Sequence, residues 1–492
     1  MDTRTGPTGG ARRVYARRPA APLPDPTAFQ REAFARFVRE GLATTLAETP
    51  PVRDLRGRVE VALSLPPDAF GRVGRDEEEC RAGFHTYAVP LRVRATLTRL
   101  DINEVVEKTL SAGDAPTMTP RGTFIVRGVE RLPLAQIVRA PGPYYSIDHR
   151  DGRARFLLDL YPARGPKIRL ESARDGSIAT RIGDAAPLPV TVMMRLCGLA
   201  GDDGADDAAL RALGGAPDGA VARAIDATLA HDHSHDAATA AVALITALRP
   251  GRPAPPAHEA LGAARALFAD PARYDLGRAG RHRLARRFGA DAGSGRALEG
   301  ADLAALTRRL ALLTAGEVAL DPLEDDVDHL ANRRVRGVDE LLQIAVRPAI
   351  ARVAALARDR LDRLRDGDID GLPPARVVSP APIAAALVSF FATHPLAQML
   401  DEANPAHELA QKRRLTARGP GGVDRDRAGL SVRDVHRSQY GRLCPVETPE
   451  GPNVGLVPSL ARHAVVDDLG FLRTPYRRVL THLPAGDPRL IG

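Results

Sequence analysis

Between Leu91 and Thr98 the chain alternates without a break. Leu91, Val93, Ala95 and Leu97 are apolar, and Arg92, Arg94, Thr96 and Thr98 are polar. A strict period of two commits the segment to a strand with one buried and one solvated face. Val59, Val61, Leu63 and Leu65 repeat the pattern, and β-like runs follow at Thr123–Val126, Leu132–Val138 and Phe156–Leu160. Elsewhere the period changes. Val338, Leu341, Leu342, Ala345, Val353, Leu356, Leu361 and Leu364 recur at helical spacing, and a second helix is expected near 382–392. Asp25-Pro26 reads as a helix cap followed by proline at the first helical position. The helix would bury Phe29, Ala33, Phe34, Phe37 and Val38 and end at Gly41. From about 199 to 320, Ala, Gly, Asp and Arg dominate a helix-rich region with exposed loops, and beyond 395 the chain turns loop-rich. The expected fold class is α+β, in several modules that can interleave, with no internal repeat.

A length of 492 residues, 44% hydrophobic and 26% charged, suits about three domains with real cores and excludes wholesale disorder. No apolar run reaches the length of a membrane span, and MDTRTGPTGGARR has no secretory core. Cys80, Cys197 and Cys444 lie far apart with no CxxC. That excludes a cysteine zinc site or a disulfide framework within the chain and fits a reducing cytoplasm.

The formal charge of +8 is unevenly spread. Residues 411–442 hold nine cations against three aspartates, the first 19 residues are net +4, and the rest of the chain sums to −2. A dense basic patch on a near-neutral chain points to a polyanion, the plainer alternative being a solvated charged face. Its glycine-rich segment Arg418-Gly419-Pro420-Gly421-Gly422 is not a Walker loop, because no Gly-Lys-Ser/Thr follows. Lys412, Arg413, Arg414, Arg418, Arg425 and Arg427 flank it, as guanidinium forks suited to phosphate or RNA. Few aromatic residues lie near, so base stacking is not expected.

Downstream, Cys444-Pro445-Val446-Glu447-Thr448-Pro449-Glu450-Gly451-Pro452-Asn453 holds three prolines and a glycine in ten residues, a loop kept rigid without regular structure. His231, His233 and His235 have metal-ligand character, but a solvated loop is the better account. Glu324, Asp325, Asp326, Asp328 and His329 form an acidic knot before Arg333 and Arg334. It reads first as a turn neutralising those arginines, otherwise as a magnesium site or as acceptors for an exposed base. No self-contained catalytic constellation accompanies these loops.

Taken in order, Asp401–Pro405, Gln411–Leu415, Gly419–Gly422, Val432–His436 and Tyr440–Leu456 resemble the fork region of the bacterial RNA polymerase beta subunit. Arg121–Val126, Gly128–Arg131 and Gln136–Gly142 resemble that family's passage from protrusion to lobe, and Asp325–Arg334 its return. The similarity covers most of 12–479. The resemblance implies an arm (1–24), a protrusion in two parts (25–127 and 335–395), a lobe between them (128–334), a fork (396–470) and the start of a further module (471–492). It implies that Gln398, Arg414, Arg425, Pro449, Glu450 and Asn453 line the RNA–DNA hybrid. Arg139, Val327, Asp328, Arg333, Val423 and Val432 would form a pocket for a flipped non-template base.

The rifamycin pocket would comprise Gln398, Met399, Asp401, Gln411, Arg414, Thr416, Arg418 and Val457. Four of these depart from the family's usual Phe, His, Ser and Leu: Met399, Gln411, Thr416 and Arg418 respectively. That implies insensitivity to the drug.

The resemblance further implies DNA, RNA, the beta-prime and alpha subunits and sigma factor as partners, in the cytoplasm at the nucleoid, with no membrane. No cofactor is expected in this chain, because magnesium is held by three aspartates of beta-prime. The family's subunit is more than twice this length. The chain is therefore expected not to polymerise RNA alone, and a separate chain carrying the missing half is a possible partner. A non-catalytic paralogue that binds nucleic acid or polymerase is the competing expectation.

Overall fold

The computed structural model describes residues 12–15, 23–150, 153–201, 203–216, 218–319, 326–476 and 479–483. The chain is mixed α and β and builds three apolar cores.

The first core closes over the alternating strand. Strands Val52–Arg53, Val59–Ser64, Ala88–Arg99 and Glu104–Pro116 form a four-stranded antiparallel sheet in that order. Leu91, Val93, Ala95 and Leu97 are buried on one face, where each leucine or valine side chain contributes about 1.5–3 kcal/mol. What covers them comes largely from more than 200 residues later: helices Val338–Asp362 and Ala381–Thr393 share this core, through Leu342, Val346, Ile350, Ile383 and Phe391. Phe124 stacks on Phe391 with ring centroids 4.0 Å apart, a contact that joins the two stretches directly.

The second core lies between these stretches in sequence. Strands Gly142–Arg150, Arg153–Tyr161, Ile168–Ser172, Ile178–Ile182 and Leu188–Pro189 make a five-stranded antiparallel sheet. Helices from Val190–Leu196 to Gly300–Thr314 cover it.

The third core is small and joins the others to the loop-rich region. Its central strand Ala135–Arg139 pairs antiparallel with Arg333–Arg336 and parallel with Leu415–Thr416. Ile137, Val335, Leu415, Ala417, Leu443 and Leu460 pack there.

Local expectations are corrected in three places. The first helix begins at Ala28, behind Thr27, and Asp25 instead accepts the Thr27 N–H at 2.8 Å. Gly41 does not end it. The chain runs through a π-turn, Phe37–Gly41, into helix Leu42–Ala47. Gly41 is small because it packs on another helix, and a Cβ there would meet Gln343 Nε2 at 3.1 Å. The run Leu132–Val138 breaks at Leu134 into strands Val129–Pro133 and Ala135–Arg139, which enter different sheets. Beyond 395 the chain is loop-rich, as expected, and within it helix Pro405–Lys412 is capped by Asn404 Oδ1, which accepts the N–H groups of Ala406 and His407 at 3.0 and 2.9 Å. Asn-Pro is the same signal as Asp25-Pro26, and here the cap and the proline at the first helical position both hold. The antiparallel pairing of Arg12–Tyr15 with Val479–Leu483 was not anticipated.

Candidate nucleic-acid interface

The basic glycine loop hangs from the third core. Leu415 and Ala417 donate their N–H groups to the carbonyls of Pro458 and Leu456, both at 2.8 Å, so the loop's entry is zipped to the exit of the proline-rich loop. Within it, Val423 N–H bonds the Ala417 carbonyl at 2.7 Å and closes the turn. A fully buried side chain then fixes its shape. Gln136 Nε2 donates to the carbonyls of Arg418 and Pro420 at 2.9 and 3.1 Å, and its Oε1 accepts from Arg336 Nη1 at 3.1 Å. The outer wall is an open hollow of about 420 Å³ lined by Arg418, Gly419, Gly422, Val423, Asp424, Arg425 and Asp426.

Two arginines tie this loop region to the proline-rich loop. Arg418 Nη1 donates to Asn453 Oδ1 at 2.8 Å. Arg433 spans both sides: Nη1 reaches the carbonyls of Pro452 (2.8 Å) and Val454 (3.0 Å), and Nη2 reaches that of Arg425 (3.0 Å). Gly455, at φ +74°, lies so close to Arg433 that a Cβ would overlap its carbonyl oxygen, so only glycine fits. Its N–H bonds Thr448 Oγ1 at 2.9 Å.

The residues expected to bind RNA or rifamycin fall into two linked groups and some solitary ones. Gln398 and Met399 are exposed on strand Ala397–Met399. Buried Gln411 holds the turn behind them, accepting Asp401 N–H at 2.8 Å and donating to the Met399 carbonyl at 2.9 Å. Thr416 is buried and accepts the Arg418 N–H at 3.1 Å, which leads through Arg418 to Asn453. Val457 is half-buried. Pro449 and Glu450 are exposed, and Glu450 has no ion pair among the described residues.

The base-pocket residues are partly assembled. Arg139 and Arg333 face each other across the strand pair, and Arg333 Nη2 bonds Asp328 Oδ1 at 2.9 Å. Burial pulls the Arg333 guanidinium below its ordinary value. Asp328 opposes this and Arg139 adds to it. Arg139 lies over the Tyr161 ring at 4.6 Å, a cation–π contact. Val327 is exposed, Val423 packs against the third core, and Val432 stands half-buried on the short helix Leu430–Arg433.

The acidic knot divides. Asp328 serves Arg333, whereas Asp326 Oδ2 meets His436 Nε2 at 2.9 Å. The His436 ring nitrogen Nδ1 accepts Ser438 N–H at 3.1 Å, which leaves Nε2 to donate to Asp326. Ser438 Oγ accepts Leu330 N–H at 2.9 Å, a second stitch between the two segments. Burial alone would raise the Asp326 carboxyl, but the Asp328 N–H and His436 hold it below the usual range. Glu324 and Asp325 lie outside the described residues. His231 Nε2 sits 2.6 Å from Asp175 Oδ2. Among the described residues no three His, Cys, Asp or Glu side chains form a metal-binding group.

The nine cations of the basic block are not equivalent. Lys412 pairs with Glu408 at 2.5 Å, Arg413 donates to the carbonyls of Leu460 and Ala461, and Arg442 donates to that of Leu472. The Lys412 pair lies within helix Pro405–Lys412, whereas Arg413 and Arg442, with Arg418 and Arg433, hold loops together. Arg425 pairs with Asp426 at 3.0 Å. The side chains of Arg414, Arg427 and Arg437 have no hydrogen bond or ion pair among the described residues, so their charge is free for a ligand. Gln136 and Arg433, which shape the face, carry no sequence signal of that role, and His436 and Asp326 are brought together only by the fold.

Two family models match the chain: RNA polymerase Rpb2, domain 2, over residues 139–336, and RNA polymerase Rpb2, domain 3, over residues 398–466. Together they cover more than half of it. Among curated relatives, the DNA-directed RNA polymerase subunit beta of Synechococcus elongatus is 39% identical over 460 residues, 93% of this chain and 40% of the relative. The subunit beta of Dehalococcoides mccartyi is 36% identical over 494 residues, 99% of this chain and 38% of the relative. That of Trichormus variabilis is 38% identical over 466 residues. The chain thus spans about 40% of the length of the relatives it matches. Matched by two domain models and by relatives along nearly all its length, the chain belongs to the family of RNA polymerase beta subunits.

Proposed function

We propose that this chain works as part of the beta subunit of a DNA-directed RNA polymerase, where it holds the RNA–DNA hybrid and the edge of the bubble while nucleotidyl transfer proceeds elsewhere. The observation that carries the reading is the braced double loop, pinned by Gln136, Arg418 and Arg433, beside which Arg414 and Arg427 keep uncompensated charge. Preorganised cations bind phosphates without first breaking internal ion pairs.

In this reading the first core is the protrusion (25–127 with 335–395), the second the lobe (128–334), and the third anchors the fork (396–470). Gln398, Arg414, Arg425, Pro449, Glu450 and Asn453 face the hybrid, and Arg139, Asp328 and Arg333 receive a non-template base. The reading gives catalytic magnesium to the beta-prime partner and none to this chain. Beta-prime, alpha, sigma and a chain supplying the remainder of the subunit are the proposed partners, at the nucleoid. The altered pocket makes the assembly rifamycin-insensitive.

The test is photocrosslinking of a short RNA–DNA hybrid carrying 4-thiouridine to the chain in complex with its polymerase partners. Crosslinks within 398–457 are the expected result. Crosslinks confined to the lobe sheet, or none, overturn the assignment.

A further inference from the structure

Three phenylalanine or tyrosine rings are exposed among the described residues: Phe84, Tyr440 and Tyr476. Two of them stack on each other. Tyr440 and Tyr476 lie 4° from parallel with centroids 6.3 Å apart, and they remain 78% and 57% exposed. They come from segments 36 residues apart, so the pair is made by the fold.

The pair is also anchored. Tyr476 Oη donates to the Tyr440 carbonyl at 2.7 Å and accepts from Arg442 Nη1 at 2.9 Å. Arg442 is itself fixed, donating from Nε to the Leu472 carbonyl at 2.9 Å and from Nη1 to that of Ser438 at 3.2 Å. Gly441 lets the two segments approach: its φ is +70°, and a Cβ would press on Thr474 Cγ2 at 3.1 Å. A ring held this firmly in water loses little further entropy on receiving a partner. The Tyr440 hydroxyl makes no hydrogen bond among the described residues. Arg437, whose carbonyl accepts the Tyr440 N–H at 3.3 Å, begins the same turn and has an unpaired guanidinium.

We propose that the Tyr440–Tyr476 pair is a stacking platform for an unpaired base of single-stranded nucleic acid, with Arg437 on the adjoining phosphate. Exposed rings beside an unpaired arginine are the combination that binds single strands without regard to sequence, because every base offers a π-face. Charge complementarity selects this occupant over a protein surface: the rings stand beside Arg437 and Arg442, and neither arginine has an ion pair among the described residues. The proposal rests on the reading that this face meets nucleic acid and adds a contact to a base where that reading has only contacts to phosphate and pocket.

The experiment measures binding of a fluorescein-labelled single-stranded pyrimidine oligonucleotide to the full chain by anisotropy. It compares wild type, Tyr440→Leu, Tyr440→Phe, Arg437→Gln and Arg414→Gln. Tyr440→Leu is expected to weaken binding about tenfold, and Tyr440→Phe to stay within about twofold of wild type. Arg437→Gln is expected to lower the salt slope by about 0.7. Iodouridine in the oligonucleotide is expected to crosslink at Tyr440 or Tyr476. If Tyr440→Leu binds like wild type while Arg414→Gln is weakened, the platform is overturned and the phosphate reading stands. If Tyr440→Leu binds like wild type but loses association with a large polymerase subunit, the pair is a protein contact and the proposal fails. If wild type binds no strand, both fail.

Discussion

Gln136 reaches the carbonyl of Arg418 across 282 residues of sequence, and the 2.9 Å bond from its Nε2 joins the central strand of the third core to the basic glycine loop. Gln136 is fully buried, whereas Arg418 is half-buried and Pro420 is exposed. Gln136→Leu is therefore expected to cost about 1–3 kcal/mol, since it removes three hydrogen bonds whose partners water reaches only in part. Urea denaturation reads the cost, and hydrogen exchange should localise faster opening to 417–423. An unchanged midpoint would show that the loop holds itself.

The free and the engaged arginines should separate in experiment. Arg414→Gln removes an unpaired charge and should flatten the salt dependence of hybrid binding by roughly 0.7–0.9 with no loss of stability. Arg433→Gln removes four carbonyl contacts and should loosen both loops, lowering thermal stability as well as affinity. Equal behaviour of the two variants would contradict the division.

The seam between Asp326 and His436 should be acid-sensitive. His329 packs against His436 with ring centroids 5.5 Å apart, and burial followed by repulsion from His436 holds it below its ordinary 6.5. A depressed value means that the unfolded chain takes up a proton the folded chain resists. The stability it adds is whole above pH 6.5 and is lost as pH falls through the folded value. Asp326, held below 3.8, adds stability that persists until more acid conditions and then fails in the same direction. Melting temperatures from neutral pH to about pH 5 should fall, and His329→Asn, which keeps an acceptor for Ala331 N–H, should flatten the decline. A decline of the same steepness in that variant would remove His329 from the account.

In the second core, Asp302 is fully buried and takes a two-pronged bond from Arg281, at 2.5 and 3.1 Å. Asp302→Ala leaves a buried guanidinium uncompensated and should cost about 3–5 kcal/mol. The loss should appear in the unfolding of the second core and leave the pairing of Ala135–Arg139 with Leu415–Thr416 protected from exchange.

Rifamycin insensitivity has its own test. Arg418 places a guanidinium, held against Asn453, where the proposed drug pocket would lie, and each polar mismatch there costs about 1–3 kcal/mol. Residues 395–457 grafted into a sensitive polymerase should abolish inhibition. Retained sensitivity would contradict the reading.

What was legible in the sequence was periodic or punctuated. Leu91 to Leu97 announced a half-buried strand, and the spacing of Val338 to Leu361 announced a helix, because burial on one face imposes a repeat. The motifs around Gly419–Gly422 and Tyr440–Leu456 were dense enough to name the family. Contacts across the fold were not legible. Nothing in the run Ala135–Arg139 distinguishes Gln136 as the residue that pins a distant loop. A count of nine cations likewise could not separate Arg433, bonded to carbonyls, from Arg414, which is free. The aromatic platform was missed for the same reason. Tyr476 lies far from the basic block in sequence, and only folding sets it against Tyr440.

The most direct test of the account is assembly. The chain is co-expressed with the beta-prime and alpha subunits and a chain bearing the remainder of the beta subunit, purified through a tag on beta-prime, and assayed for templated primer extension with and without this chain. The account predicts co-purification and extension that depends on the chain. Failure to associate in every combination, or equal extension without it, would contradict the account.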